Sequence, residues 1–373
     1  MENTDSANIT EHFGTVTDPR KSNSRHKLMD IIAIAICSVI CGAEAWEHME
    51  DFGEAKLDWL KVFLELPHGV PSPDTFARVF AALDPEEFRR SFTSWVQAIS
   101  KLTKGQVIAI DGKTLRRSHD HEAGKKAIHM VSAWACSNQI VLGQLKTEEK
   151  SNEITAIPKL LQTLAIEGCI VTIDAMGCQK DIARSIKEKG ADYVLALKGN
   201  QGGFHDDAVY FFKDHMDNHT FKDVDYHEAT DGGHGRVEVR RHRVSDRVQQ
   251  IPGMELWEGL KTMGMVIRER HIGDAITMET SYYISSLDMD ARQFAHAVRS
   301  HWNIENNLHW VLDVTFREDE SRIRKDNAPE NMAVLRHMAL NLLKQETSLK
   351  KSIKRKRLRA GWDYAYLEKI LTG

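Results

Sequence analysis

The sequence predicts an α/β protein: a mixed sheet with flanking helices, preceded by an all-helical domain and interrupted by a β-rich insertion. Three observations carry this. Residues 28–102 place apolar side chains at helical spacing. After Gly105 come short apolar runs of strand length, QVIAIDGKT, CIVTIDAMG and ADYVLALKGN, with helix-compatible segments between the later ones. From about His205 to Asp288 the chain turns rich in Gly, His and β-branched residues, with alternation in RVEVRRHRV and ETSYYISSL.

The 373 residues suffice for several packed units, and the 42% hydrophobic and 28% charged fractions are those of a globular protein. Residues 1–27 are polar, with Arg20, Lys21, Arg25 and Lys27 around Asp18-Pro19, and read as a flexible arm without a signal peptide. Ile31 to Ala43 is the longest apolar run. It falls well short of the roughly 20 residues a spanning helix needs, so a buried helix, no membrane partner and a cytoplasmic location are expected. Five cysteines without metal-binding spacing fit a reducing compartment as structural thiols.

The 28–104 helical domain closes with Asp84-Pro85-Glu86-Glu87, an N-cap followed by proline at the first helical position, then Phe88, Phe92, Trp95 and Ile99 on one face. A sheet-forming segment over 105–204 follows, with two strands joined at Ser137-Asn138 and helices closed by Gly168 and Gly190. The insertion covers 205–288, and 289–345 returns to helix. There Val298, Trp302, Glu305, His309, Leu312 and Phe316 fall on one stripe. Residues 346–373 form a basic tail. From Lys344 to Arg359 eight cations face Glu346 alone, a local patch in a chain of net charge −4, to be read as a solvated helix face or as a surface for phosphate.

The stripe poses a chemical question, because a carboxylate on an apolar face must be neutralised, hydrogen-bonded or held against a cation. Asp111 and Asp174 offer an answer. Both stand at the ends of apolar strands, where side chains project into a crevice at the sheet edge. Two strand-end aspartates with Glu305 make three hard oxygen donors, the set that Mg²⁺ or Mn²⁺ prefers, and two such ions suit phosphodiester displacement. His309, one turn after Glu305, can orient it. His301, Glu305 and His309 do not form the His-Glu-x-x-His zinc motif.

At PSPDTFARVFAALD, IAIDGKTLRRS, TIDAMGCQKDIA with LALKGNQ, and HWNIENNLHWVLDVTFREDESRIRKDNAPENMAVLRHMALNLLK, the chain resembles the bacterial insertion-sequence transposases with an Asp-Asp-Glu triad, in the H-repeat-associated group. The resemblance implies an RNase H-like catalytic core with Asp111, Asp174 and Glu305 as triad and metal ligands, and use of two Mg²⁺ or Mn²⁺ ions. It implies cleavage at element ends and strand transfer into double-stranded DNA, by a homodimer on DNA associated with the nucleoid. A catalytically silent DNA-binding descendant and a metal-dependent endonuclease are the alternatives. Broader relatives carry Tyr, Arg and Lys around the glutamate; this chain has Val298, His301 and Leu312 at those offsets. The phosphate contacts expected instead are Lys113, Lys198, Arg299 and Arg317, with Lys354, Arg355, Lys356 and Arg357 in the tail.

Overall fold

The computed structural model describes residues 9–21, 24–120, 124–148, 152–218, 222–233 and 235–372. The helical beginning comprises α1 (Ile9–Phe13), α2 (Leu28–Cys41), α3 (Trp46–Ala55), α4 (Leu57–Leu60), α5 (Pro73–Ala82) and α6 (Pro85–Ile99). Asp84 caps α6 as its sequence predicts, accepting from the amides of Glu86 and Glu87. Part of the segment expected to be a flexible arm is packed instead: Phe13 is fully buried, edge-on to Phe88 of α6. Residues 1–8 and 22–23 of that arm lie outside the described residues.

Next come β1 (Val107–Thr114), β2 (His129–Ala135), β3 (Ile140–Lys146), α7 (Glu153–Thr163), β4 (Ile170–Ile173), α8 (Lys180–Glu188) and β5 (Asp192–Leu197). Strands β1 to β3 are antiparallel neighbours, whereas β4 and β5 join β1 in parallel, giving the order β3-β2-β1-β4-β5. This is the RNase H-like mixed sheet. Parallel strands need crossover connections, and α8 supplies the one between β4 and β5.

The expected β-rich insertion opens with a helix, α9 (Gly203–Asp217), before β6 (Asp225–Gly233), β7 (Arg236–Ser245), β8 (Thr262–Ile272) and β9 (Ala275–Ser285). These strands form an antiparallel meander. It continues the core sheet through the β5–β9 pairing, giving nine strands in the order β3-β2-β1-β4-β5-β9-β8-β7-β6. The free edge of β5 would otherwise leave backbone groups unpaired.

The chain returns over the sheet with α10 (Ala291–Ile304), a π-helical turn (Glu305–His309), α11 (Trp310–Val314), α12 (Ala328–Gln345), α13 (Ile353–Trp362) and α14 (Tyr364–Thr372). Helix α12 is buried on nearly every side and stitches the two halves together. Asn331 donates to the Phe80 carbonyl of α5, and Asn341 makes a reciprocal pair with the backbone of Val141 on β3. Among the described residues no single helix is long and apolar enough to cross a membrane; α2, from the apolar run, lies in the core. All five cysteines are free thiols, four of them buried.

Three sequence expectations change here. The basic tail is folded into α13 and α14, and Lys356 and Arg357 are buried rather than presented to phosphate, because their charged ends satisfy backbone carbonyls. Trp302, expected in the core, is 42% exposed. Glu305 is exposed as well, its side chain 54% accessible. Both residues line an open cavity at the sheet edge, so the stripe is left uncovered at those two positions.

Candidate active site

The site is assembled where β1 and β4 part. Their parallel register ends at Ile110↔Ile173, so Asp111 and Asp174 are the next residues on neighbouring chains. Adjacent strands lie about 4.8 Å apart and residues in register share a face, which brings the two aspartates to one edge of the sheet. Strand β1 itself runs on to Thr114 against β2, so Asp111 ends only the parallel pairing. Helix α10 crosses this face and delivers Glu305 at the start of the π turn, a feature often found where a helix serves chemistry.

Asp111, Glu305 and His309 each place a potential ligand atom within 4.8 Å of the others. His309 Nδ1 lies 3.5 Å from Asp111 Oδ2 and 3.8 Å from Glu305 Oε2. Its Nε2 is buried and has no hydrogen-bond partner among the described residues. Asp174 is outside that tight group, but it lines the same cavity of about 380 Å³ together with Asp111, Glu305, Lys198, Arg268 and Trp302. Asp174 Oδ1 accepts from the amides of Met176 and Gly177 at 3.0 and 3.3 Å, which fixes the carboxylate at the strand end. Beside it, half-buried His301 pairs through Nδ1 with the Thr172 hydroxyl at 3.1 Å.

The electrostatics fit carboxylates gathered without a counter-charge. Burial pushes the Asp111 carboxyl up to about 7, opposed by His309 and reinforced by the negative charge of Glu305. Glu305, more exposed, is held below its ordinary value by His309. A divalent cation would relieve the crowding around Asp111, and the donor set of hard oxygens suits Mg²⁺ or Mn²⁺.

The other expected contacts sort by their surroundings. Lys198 is exposed on the cavity wall. Arg299 is open to solvent on α10, its nearest paired carboxylate Asp231 at 3.9 Å. Lys354 and Arg355 are exposed on α13, away from the residues that line the cavity. Arg317 is engaged by Glu44 at 3.3 Å and by Glu320. Lys113, expected to meet phosphate, points into the protein. Its ammonium is 2.7 Å from Asp313, 3.0 Å from Glu318 and 3.2 Å from Asp319, and Glu318 also faces buried Arg336 at 3.4 Å. Lys113 shares the Asp111 face of β1 because the two are separated by two residues, so this cluster braces β1 against the segment following Glu305.

Two features went unread in the sequence. His129 Nε2 pairs with Glu153 Oε1 at 2.7 Å in the space a side chain at Gly112 would fill, on the opposite face of β1 from Asp111. Arg268 lies over the Trp302 ring at 5.2 Å, forming a cationic and aromatic wall of the cavity. The alternation read in the sequence fell on β7 and β9, and nothing local to β8 signalled that Arg268 faces the site.

Residues 102–342 match the family described as "Transposase DDE domain", and residues 10–96 match its companion, "DDE_Tnp_1-associated". The chain is 44% identical over 370 residues to "Putative transposase YncI" of Escherichia coli O157:H7, spanning 97% of this chain and 94% of that one. It is 42% identical over 371 residues to "H repeat-associated putative transposase YhhI" of Escherichia coli strain K12, spanning 98% of each. A cryo-EM structure of piggyBac transposase in a synaptic complex with hairpin DNA aligns with 99% of this chain and 79% of that one, at 11% identity and a TM-score of 0.43. With its two-part family match and near full-length relatives, this chain belongs to the DDE transposase family.

Proposed function

We propose that this protein is a metal-dependent DNA transposase that cleaves phosphodiester bonds at the ends of an insertion element and joins the freed strands to target DNA. The observation that carries the reading is the convergence of Asp111, Glu305 and His309 beside Asp174, where the parallel pairing of β1 and β4 ends. Asp111, Asp174 and Glu305 would hold Mg²⁺ or Mn²⁺, which activates an attacking oxygen and stabilises a leaving one. Asp111 and Glu305 contribute anionic oxygens, and His309 between them orients both. Asp174 commits Oδ1 to its own turn, which leaves Oδ2 to face the cavity chemistry. Lys198 on the wall and Arg299 on α10 meet phosphate.

In the first step water attacks the phosphodiester at the element end, breaking the P–O3′ bond and leaving a 3′-hydroxyl. That hydroxyl then attacks a target phosphodiester in line, and the target's own 3′-oxygen leaves with a proton. No covalent protein intermediate is needed. Working on paired ends, the protein acts as a homodimer on double-stranded DNA.

The test is incubation of the protein with Mg²⁺ or Mn²⁺ and duplexes bearing candidate element ends. Expected are nicked products with 3′-hydroxyls and joined strands, together with loss of cleavage in Asp174→Asn at DNA affinity within about threefold of the parent, since one carboxylate contributes little to the phosphate-driven part of binding. Cleavage without joining would make the protein an endonuclease. Binding without cleavage would make it a silent descendant.

A further inference from the structure

The chemistry above makes no use of the cations on α13. The tertiary structure divides that basic run in two. Lys356 turns inward and donates to the carbonyls of Leu343, at 2.8 Å, and Glu346. Arg357 does the same toward Val39, at 3.0 Å, and Thr315, with its guanidinium 4.2 Å from the centre of the Phe316 ring. These two anchors fix the rotation of α13 about its axis. Helical geometry then directs Lys354, Arg355, Leu358, Arg359 and Trp362 outward on a single face.

At its start that face carries cations that lack compensation, continued by Lys350 and Lys351 just before α13. Among the described residues, Lys350, Lys351, Lys354 and Arg355 have no carboxylate within ion-pairing distance, and all four are exposed. The nearby acids are already committed: Asp363 to Arg359, Glu346 to the Tyr366 hydroxyl inside the fold, and Glu368 to the Trp59 indole N–H. Trp362 is 76% exposed beside these cations and Leu358 44% exposed. A row of unpaired cations with an aromatic group standing among them suits a polyanion with apolar surface between its charges.

We propose that the outer face of α13, with Lys350 and Lys351 just before it, binds the sugar-phosphate backbone of duplex DNA at a site separate from the catalytic cavity. The inference rests on the DNA-processing reading above. Lys350, Lys351, Lys354 and Arg355 offer four unpaired cations to a duplex that carries one negative charge per roughly 1.7 Å of its axis, enough to meet up to four phosphates. Because Arg357 ties α13 to Thr315 and Phe316, the face is rigidly joined to the end of the helical run that carries Glu305. DNA held there is held in a fixed relation to the catalytic carboxylates.

The full-length protein and its Lys350→Gln, Lys351→Gln, Lys354→Gln, Arg355→Gln variant are compared on a 30-base-pair duplex of arbitrary sequence, with affinity followed from 50 to 200 mM salt. Each phosphate contact contributes about 0.9 to the slope of log affinity against log salt, so the variant's slope falls by roughly 3 to 4, with at least a tenfold loss of affinity at the lowest salt. All four positions are solvent-exposed, and an unchanged Tm verifies the fold. A variant that keeps the parent's slope and binds within twofold overturns the inference and leaves the transposase reading standing. A parent that binds no duplex at 50 mM salt overturns both. Binding of a polyglutamate peptide as tightly as duplex would overturn DNA as the occupant.

Discussion

Replacing Lys113 by Met removes the ammonium at the centre of the brace while keeping most of its stem. Three carboxylates then lose a cation at 2.7, 3.0 and 3.2 Å, of which Asp319 keeps Arg116 at 3.2 Å. They differ in what they can recover. The side chains of Asp313 and Asp319 are 32% and 21% exposed and can rehydrate, whereas that of Glu318 is 2% exposed and keeps only Arg336. Removing one partner of a buried pair costs about 3 to 5 kcal/mol, and the remaining Arg336 contact places the expected loss near the lower end, about 3 kcal/mol. Urea titration at pH 7 measures it, and Lys113→Arg should restore most of the loss by returning a cation. Burial works to raise the Glu318 carboxyl, but Lys113 and Arg336 outweigh it and hold the group below its ordinary value. A depressed carboxyl contributes stability that is present above its unfolded pKa and lost as pH falls through the folded one. The gap between parent and Lys113→Met should therefore be full at pH 7 and narrow below about pH 4, as Glu318 becomes protonated in both. A loss under about 1 kcal/mol at pH 7, the range of exposed pairs, would refute the brace.

Gly112→Ala puts a methyl 2.1 Å from Glu153 Oε1 and 2.3 Å from His129 Nε2, so that pair must separate. A destabilisation of about 1 to 3 kcal/mol is expected in the same titration, as for an overpacked site, with slower cleavage as β1 shifts. Burial pushes His337 down to about 4, so its contribution to stability is complete above the unfolded imidazole value near 6.5 and disappears as pH falls through 4. His337→Phe, which has nothing to titrate, should show a shallower decline of urea midpoint between pH 6.5 and 4 than the parent; equal slopes would reject the assignment.

Much of the site was legible in the sequence because its chemistry sits at punctuation marks of the pattern. Apolar runs that stop at an aspartate mark both strand and crevice, and Asp111 and Asp174 stand there. Glu305 and His309 were legible as neighbours one helical turn apart. The depth of Glu305 was misread because helical periodicity shows which side chains share a face but not where that face runs past its cover into an open cavity. The cation assignments fared least well. Lys113 was expected to meet phosphate, but its partners lie about 200 residues away along the chain, and no local pattern encodes such a pairing.

By itself the sequence determined the helical beginning, the strands of the core sheet, the cap of α6, the two aspartates that follow the apolar runs and the helix that follows the insertion, since each depends on neighbours within a few residues. Only the tertiary structure decided that the insertion extends the core sheet rather than standing beside it, and that Lys356 and Arg357 turn inward while Lys354 and Arg355 turn out. The reason is common to both. A strand edge and a basic helix carry the same local signal wherever they go, and their roles are set by the unpaired backbone groups or carbonyls that long-range packing brings against them.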